Sequence, residues 1–267
     1  MKRLSISLFG KLNIDYDGRT LHGCEALKVQ ELLCYLLLHR NRPQPREVLA
    51  SVLWGDHCTT SHSRKYLRNA LWRLQSAIAQ LPDADRARLL TAEVDWIEFK
   101  SAPLLELDVE QLEMAYSRVR GLREDQLTAP QIAELEEASS RYDGYLLSGW
   151  SHDWCISERD RLHHIYLLVL EKIAGFYEYT GQYEGALTHA EQTLTYDRAH
   201  ESAHRRMMRL YYKMGYRTNA LRQYHACVAA LRDELDVGPT RRTVELYQEI
   251  CEDRATVRDI SLRTSAA

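Results

Sequence analysis

The chain has 267 residues, of which 45% are hydrophobic, and a formal net charge of -3, so one or two domains with substantial cores are expected. Only 12 glycines and 6 prolines are present, and the composition predicts a mostly helical globular protein. No apolar run approaches the ~18–20 residues that would span a bilayer, and the N-terminus lacks the apolar core of a signal peptide. We therefore expect a cytoplasmic protein with no membrane partner.

The charge is distributed unevenly along the chain. Residues 1–100 carry 15 Lys and Arg against 11 Asp and Glu, whereas residues 101–267 carry 20 against 27. This asymmetry predicts an N-terminal part that can meet an acidic partner and an acidic C-terminal part that cannot. The six cysteines form no C-x-x-C pair, which indicates reduced thiols rather than a disulfide frame or a zinc finger.

The first predicted elements are two short strands followed by two helices. Residues 4–9 and 12–16 alternate apolar and polar side chains, and Asp17-Gly18 is a strong hairpin-turn signal. From Lys28 to about residue 39 the apolar spacing becomes helical. Two prolines then interrupt the pattern, and a second helix is predicted from Pro45 to residue 54.

Residues 61–80 form the stretch that bears most directly on function. Read as a helix, one face carries the apolar residues Leu67, Ala70, Leu71, Leu74 and Ile78. The opposite face carries His62, Lys65, Arg68, Asn69, Trp72 and Arg73, with no acidic residue. Arginine and lysine bind phosphates or guanine, and asparagine pairs with adenine, so this face suits a DNA major groove. An ordinary surface helix with a solvated basic face fits the same pattern, and the helix alone does not decide between the two.

The elements around this helix follow the order of a helix-turn-helix unit: helix, proline turn, helix, loop, basic helix. Residues 89–91 and 96–99 flank a short polar segment and predict a hairpin, the wing of a winged helix. Further helices are predicted from Asp108, from near Pro130 and from near Ser157.

An internal repeat marks the second half of the chain. Gly181, Ala186 and Leu187 recur 34 residues later as Gly215, Ala220 and Leu221, and this spacing is the tetratricopeptide (TPR) period. The pattern predicts two repeat units, residues 167–200 and 201–234, followed by a last helix over residues 244–250.

Residues 28–54 resemble the start of an OmpR-type winged-helix domain. More narrowly, they resemble the bacterial transcriptional activator domain family, which includes the streptomycete antibiotic regulatory proteins. In that family a leucine-rich helix is followed by NRP, then by a helix ending in LWG, then by a recognition helix. Asn41-Arg42-Pro43 and Leu53-Trp54-Gly55 stand in those places, and residues 233–239 resemble the family's segment before a final helix. The usual glycine-tyrosine-arginine segment of the wing is replaced by Val94-Asp95-Trp96-Ile97.

The resemblance implies a mainly α protein with an α+β N-terminal part. A winged helix-turn-helix DNA-binding domain is expected over residues 1–102, an all-α TPR-like activator domain over residues 103–252, and a flexible tail over residues 253–267. The implied function is that of a sequence-specific transcription regulator, an activator that binds direct repeats near promoters. Its implied partners are double-stranded DNA, RNA polymerase and a second copy, as a homodimer or as side-by-side protomers on DNA. No cofactor is implied.

We assign the expected DNA contacts residue by residue. Lys65, Arg68 and Asn69 are expected to reach base edges, and Ser61, Arg64 and Arg73 to bind phosphates. His62 lies on the same face, and Trp72 is expected either to stack on a sugar or to cover Arg68. Arg42 and Arg46 are expected to touch the DNA backbone near the preceding turn.

Two other functions fit parts of the sequence. Residues 200–204 match H-E-x-x-H, the zinc-protease signature, but the repeat places His204 between helices, Arg205 and Arg206 follow it, and no third ligand stands at the extended spacing. The set His152, Cys155, His163 and His164 matches no known metal-ligand spacing. No enzyme is therefore expected. The remaining alternative is a TPR-like adaptor that binds a protein and not DNA, which would leave the basic helix without a role.

Overall fold

The computed structural model describes residues 3–55, 59–82 and 89–253. The strands are β1 (Leu4–Ser7), β2 (Asn13–Tyr16), β3 (Arg19–Thr20), β4 (Gln44–Pro45), β5 (Leu90–Ala92), β6 (Trp96–Phe99) and β7 (Leu105–Leu107). The helices are α1 (Leu27–Leu38), α2 (Arg46–Trp54), α3 (Thr60–Ile78), α4 (Asp108–Val119), α5 (Ala129–Ser140), α6 (Asp153–Tyr179), α7 (Tyr183–Tyr196), α8 (Glu201–Lys213), α9 (Arg217–Leu235) and α10 (Arg241–Cys251). Within the described ranges, each helix is too short or too polar to cross a membrane. The predicted flexible tail lies outside those ranges from residue 254 onward.

The predicted fold class is confirmed: a small α+β N-terminal part precedes a helical C-terminal part. Two compact units are present, one formed by Met1–Ser117 with Ser140–Ile165 and one by Arg118–Ser139 with Tyr166–Ala267. These units divide the chain elsewhere than at residue 102, because β7 and the segment before α6 pack with the N-terminal sheet. The division of the chain into functional domains at residue 102 stays a prediction.

The N-terminal sheet has the strand order β3-β2-β1-β7. The predicted hairpin supplies β1 and β2, which pair antiparallel, while β7 pairs with β1 in parallel, with Leu107 opposite Ile6. Strand β7, which the sequence pattern did not indicate, runs directly into α4. The first residue of α4, Asp108, accepts hydrogen bonds from the backbone amides of Leu8 and Phe9, both at 2.8 Å. The sheet and α4 are therefore joined through one buried carboxylate.

The segment between α5 and α6 closes over the same sheet. The amide of Leu147 donates to the carbonyl of Leu8 at 2.8 Å, and the guanidinium of Arg159 donates to carbonyls of this segment. Gly10 has a φ of +73°, and a Cβ atom at this position would lie 2.6 Å from the carbonyl oxygen of Asp143. Only glycine fits there, since both the backbone angle and the neighbouring carbonyl exclude a side chain.

Helices α1, α2 and α3 and a three-stranded sheet form the winged helix. The predicted wing is confirmed: β5 and β6 pair antiparallel, with Leu90 opposite Phe99. Strand β4, at the end of the proline turn, pairs with the other side of β6. In the same turn the backbone amide of Asn41, a residue with a φ of +60°, donates to the carbonyl of Phe99 at 2.8 Å. The turn between α1 and α2 is thus tied to the wing.

The second compact unit (Arg118–Ser139 with Tyr166–Ala267), called the helical unit below, contains a repeat with the predicted period. At the start of α7 the amide of Gln182 donates to the carbonyl of Tyr177 at 2.8 Å, and 34 residues later the amide of Tyr216 donates to Tyr211 at the same distance. Buried Ala186 and Ala220 follow at equivalent places on α7 and α9. Small side chains at these positions let paired helices approach closely.

The predicted start of the long helix near Ser157 is wrong by about one turn. Helix α6 begins at Asp153, because the carbonyl of His152 accepts the amides of Cys155 and Ile156 at 2.9 and 3.1 Å and so closes an earlier turn. The last helix also begins earlier than predicted, at Arg241.

Candidate nucleic-acid interface

Helix α3 is held in place by the apolar face that its sequence period predicts. All five predicted residues are buried, together with two small ones, Ser63 and Ala77; the predicted set is Leu67, Ala70, Leu71, Leu74 and Ile78. This face packs against α1 and α2. Burying a side chain the size of leucine contributes about 1.5–3 kcal/mol, so the orientation of α3 is set by its back and not by its polar front.

The opposite face of α3 is open to solvent. Every residue of α3 that is predicted to contact DNA is exposed: Ser61, His62, Arg64, Lys65, Arg68, Asn69, Trp72 and Arg73. Among the described residues, Lys65, Arg68 and Arg73 make no ion pair. Trp72 lies on the same face as these cations, and 67% of its surface is exposed to solvent. The face therefore offers charge, an amide and an aromatic surface together.

Arg64 differs from the other cations of α3. Its guanidinium forms an ion pair with Glu47 of α2, and both side chains are more than half exposed. The sequence period could not reveal this carboxylate, because it comes from a different helix, 17 residues earlier. Exposed ion pairs of this kind contribute about 0–1 kcal/mol, so a phosphate can compete for the same guanidinium.

The two predicted DNA contacts that precede α3 in the chain, Arg42 and Arg46, lie in or just after the proline turn, whose strand β4 pairs with the wing strand β6. The Nε–H of Arg46 donates to the carbonyl of Glu93 at 2.9 Å, and its backbone amide donates to the carbonyl of Asp95 at 2.9 Å. Arg46 thereby holds the turn between β5 and β6. Arg42 is exposed in the proline turn, ahead of β4.

The tip of the wing is acidic. Glu93, Val94 and Asp95 are all exposed, and Val94 has 86% of its surface in solvent. The turn is closed by the amide of Glu93, which donates to the carbonyl of Trp96 at 2.9 Å. Two carboxylates at this tip repel phosphates, so the wing differs in charge from one that ends in an arginine.

The first turn of α3 is braced by a residue that the sequence reasoning did not single out. The hydroxyl of Thr59 lies 3.0 Å from Nδ1 of His62 and 3.2 Å from the hydroxyl of Ser61. These contacts fix the side chains that open the helix. The signal in the sequence was present, since threonine is a preferred residue just before a helix.

A shallow hollow of about 350 Å³ lies beside the later turns of α3. Its polar and aromatic walls come from α1, α2 and α3: Lys28, Trp54, Tyr66, Asn69, Trp72 and Arg73. Tyr66, which is 45% exposed, was missed because it falls at the border between the two faces. Its ring stacks with that of His62, centroid to centroid at 6.4 Å.

The H-E-x-x-H segment is built into the helical unit by hydrogen bonds. His204 is buried, with Nε2 at 2.9 Å from the carbonyl of Arg198 and Nδ1 at 2.7 Å from Nε2 of Gln223. Glu201 accepts the amide of Thr240 at 2.8 Å, so it caps the start of α10. Both ring nitrogens of His204 thus have hydrogen-bond partners, and the carboxylate of Glu201 accepts hydrogen bonds at the start of α10.

We expect His204 to make the helical unit less stable in mild acid. Burial lowers the pKa of His204, and the hydrogen bond to Arg198 opposes this only partly. The unfolded chain, with an ordinary histidine pKa of about 6.5, then binds the proton more readily. Stability is complete above that pH and falls as the pH drops below it, by at most about 1.4 kcal/mol per pH unit.

Urea unfolding of the full chain at pH 7.5, 6.5 and 5.5, compared with His204→Gln, measures this effect. The difference in unfolding free energy between the two proteins should shrink on acidification. Parallel pH profiles would contradict the assignment.

The histidines and the cysteine at the start of α6 are separated into different contacts. Nδ1 of His163 lies 3.0 Å from the hydroxyl of Tyr142, while Cys155 is buried with its sulfur 3.6 Å from the guanidinium of Arg159. Across residues 3–55, 59–82 and 89–253, no group of three or more His, Cys, Asp or Glu side chains is arranged to hold a metal ion.

Comparison with known proteins extends these observations. A family model described as "Bacterial transcriptional activator domain" matches residues 107–251, more than half of the chain. The fold is similar to that of Mycobacterium tuberculosis EmbR, whose structure was solved in complex with a low affinity phosphopeptide. The TM-score is 0.77 at 18% sequence identity, and the match covers 96% of this chain and 67% of that chain. A weaker similarity, with a TM-score of 0.39 and 14% identity, is to the C-terminal TPR-containing domain of a Plasmodium falciparum FK506-binding protein, covering 55% of this chain and 89% of that one. No curated protein sequence matches the chain.

Proposed function

Because the chain belongs to the bacterial transcriptional activator domain family, we propose that it activates transcription by binding double-stranded DNA through α3. The family is one of transcriptional activators. Placing α3 in the major groove of the DNA is the finer part of the proposal.

The observation that carries the proposal is the asymmetry of α3. Its apolar back is buried, while Lys65, Arg68 and Arg73 are exposed and, among the described residues, make no ion pair. Keeping three cations on one face without carboxylate partners has an electrostatic cost that a polyanion removes on binding. A major groove is wide enough to admit a helix with such a front.

We assign roles along α3 by position. The earlier turns of a recognition helix read bases, so Lys65, Arg68 and Asn69 are placed against base edges. Arg73 lies later on the helix and is placed on a phosphate, with Trp72 against the adjoining sugar. Arg64 reaches a phosphate by exchanging its ion pair with Glu47.

The wing has a smaller part in this proposal. Its acidic tip, Glu93 and Asp95, does not suit phosphates, and Arg46 is hydrogen-bonded to the same turn. We therefore place most of the sequence recognition on α3.

We further propose that two copies bind side by side on direct repeats near promoters and contact RNA polymerase. This part rests on the family resemblance, with the stretch after residue 100 as the surface for protein partners, since it carries 27 acidic residues against 20 basic ones. Selected duplexes that contain the same short sequence twice, in the same orientation, would support it.

Replacing Arg68 with alanine should weaken binding to the preferred duplex by about 1–3 kcal/mol and relax the preference at one base position. Replacing Arg73 should weaken binding to all sequences alike and reduce the salt dependence by about one ion. The measurement is selection from random duplexes with the full chain, followed by titration at several salt concentrations.

Arg241→Ala is the matched control, because Arg241 is an exposed arginine on α10 with 90% of its side chain in solvent. Equal selection by the wild type and Arg68→Ala would refute the role of Arg68. A folded chain that binds no duplex at low salt would instead favour the adaptor function. The full chain is required, because a fragment ending at residue 100 lacks β7, the partner of β1.

A further inference from the structure

A buried carboxylate lies at the back of the winged helix. Glu31 on α1 is only 1% exposed, so its charge is almost fully removed from water. Its Oε2 accepts a hydrogen bond from Nζ of Lys28 at 2.7 Å, and its Oε1 lies 3.4 Å from Nε2 of His152, just ahead of α6. Buried charges require such partners, because an unpaired one is costly in a low dielectric.

Lys28 has a second hydrogen-bond partner, and this one lies at the end of α2 that adjoins the surface proposed to bind DNA. The same Nζ donates to the carbonyl of Leu53 at 2.8 Å, in the last turn of α2. It also lies 5.8 Å from the centre of the Trp54 ring, within range of a cation–π contact. One ammonium thus joins the buried carboxylate of α1 to the carboxyl end of α2.

This end of α2 adjoins the surface assigned to DNA. Trp54 forms one wall of the hollow whose other walls include Asn69, Trp72 and Arg73 of α3. A shift of the last turn of α2 therefore moves one wall of the hollow that these three side chains also line. Groups that read bases must be held to a fraction of an ångström by the residues behind them.

We propose that Lys28 is a positioning residue for sequence recognition: it fixes the carboxyl end of α2 to buried Glu31 and so sets the place of Asn69 and Trp72 on α3. This inference rests on the proposed DNA-binding function. Lys28 acts here through Leu53 and Trp54 and makes no contact with DNA. Through His152, the same carboxylate also holds the segment that opens α6.

Two other roles for Lys28 give different results. If the lysine only neutralises Glu31, removing both charges should restore wild-type behaviour. If it binds a phosphate, removing it should reduce the salt dependence of binding by about one ion, as for Arg73. A positioning residue should change discrimination between sequences while leaving the salt dependence intact.

The experiment compares four full-length variants with the wild type: Lys28→Met, the double variant Lys28→Met/Glu31→Gln, Arg73→Ala as the phosphate-contact reference, and Lys11→Met. The double variant removes the buried charge together with its partner, so it leaves no unpaired charge in the interior. Lys11, an exposed lysine between β1 and β2, is the matched control. Affinities for the selected duplex and for a scrambled duplex are measured over a range of salt, and hydrogen exchange is followed at the amides of Trp54 and Gly55.

We expect both Lys28 variants to lose about tenfold in the ratio of selected to scrambled affinity, with an unchanged salt slope and faster exchange at the end of α2. Wild-type discrimination in the double variant, or a reduced salt slope in either, overturns the proposal. If the wild type itself prefers no duplex, the proposed function fails and this inference with it. If the wild type discriminates and the Lys28 variants do so equally well, only the inference fails.

Discussion

Replacing Leu74 with alanine is expected to lower the free energy of unfolding by about 2–5 kcal/mol, the range for truncating a fully buried leucine. Leu74 is 0% exposed, at the middle of the buried face of α3. The loss combines the removed apolar contacts with a cavity between α3 and the helices behind it. Chemical unfolding followed by circular dichroism measures the change.

The neighbouring Gln75 provides the control, because it is exposed on the same helix turn. Gln75→Ala should change stability by less than about 0.5 kcal/mol. Arg68→Ala should do the same while weakening DNA binding. If Arg68→Ala destabilised the fold as much as Leu74→Ala, the separation of a structural back from a functional front on α3 would be lost.

Replacing Asp108 with alanine is expected to cost about 2–4 kcal/mol at neutral pH, because the buried amides of Leu8 and Phe9 lose their acceptor. The side chain is 4% exposed and also accepts the amide of Val109 at 2.7 Å. Urea unfolding of the full chain is the measurement. Asp108→Asn, which keeps one oxygen for the two amides, should lose less.

The cost of Asp108→Ala should grow as the pH is lowered. Burial raises the pKa of Asp108 to about 6, although the hydrogen bonds from the backbone amides oppose this. Between the unfolded value of about 3.9 and that pKa, the folded chain binds the extra proton, so wild-type stability rises as the pH falls. The gap between the wild type and Asp108→Ala should therefore widen from pH 7 to pH 4.5. A constant gap would mean that the carboxyl does not titrate in this range.

Local periodicity predicted those parts of the protein whose structure depends on near neighbours. The spacing of Leu67, Leu71 and Leu74 predicted both faces of α3, because residues one turn apart share a side of a helix. In the same way, the 34-residue period predicted the equivalent turns at Gln182 and Tyr216. Each of these features depends only on residues that lie within a few dozen positions of one another in the sequence.

Contacts between distant residues could not be predicted in this way. Strand β7 is only three residues long, and its partner β1 lies about 100 residues away. The pairing of Arg64 with Glu47 and the dual role of Lys28 also depend on how α1, α2 and α3 pack. For the candidate interface, the sequence therefore predicted which side chains are exposed. It did not predict the groups from other helices that position these side chains or form ion pairs with them.

The path of the chain between the two compact units restricts how this protein can be recombined with its relatives. The polypeptide leaves the first unit after Ser117, returns at Ser140 and leaves again after Ile165. A chimaera made with a single junction between residues 117 and 165 would build at least one of the two units from segments of two different proteins. Exchanging the compact unit that carries α3 between members of the family would thus need residues 1–117 and 140–165 to be transferred together, as a two-part graft.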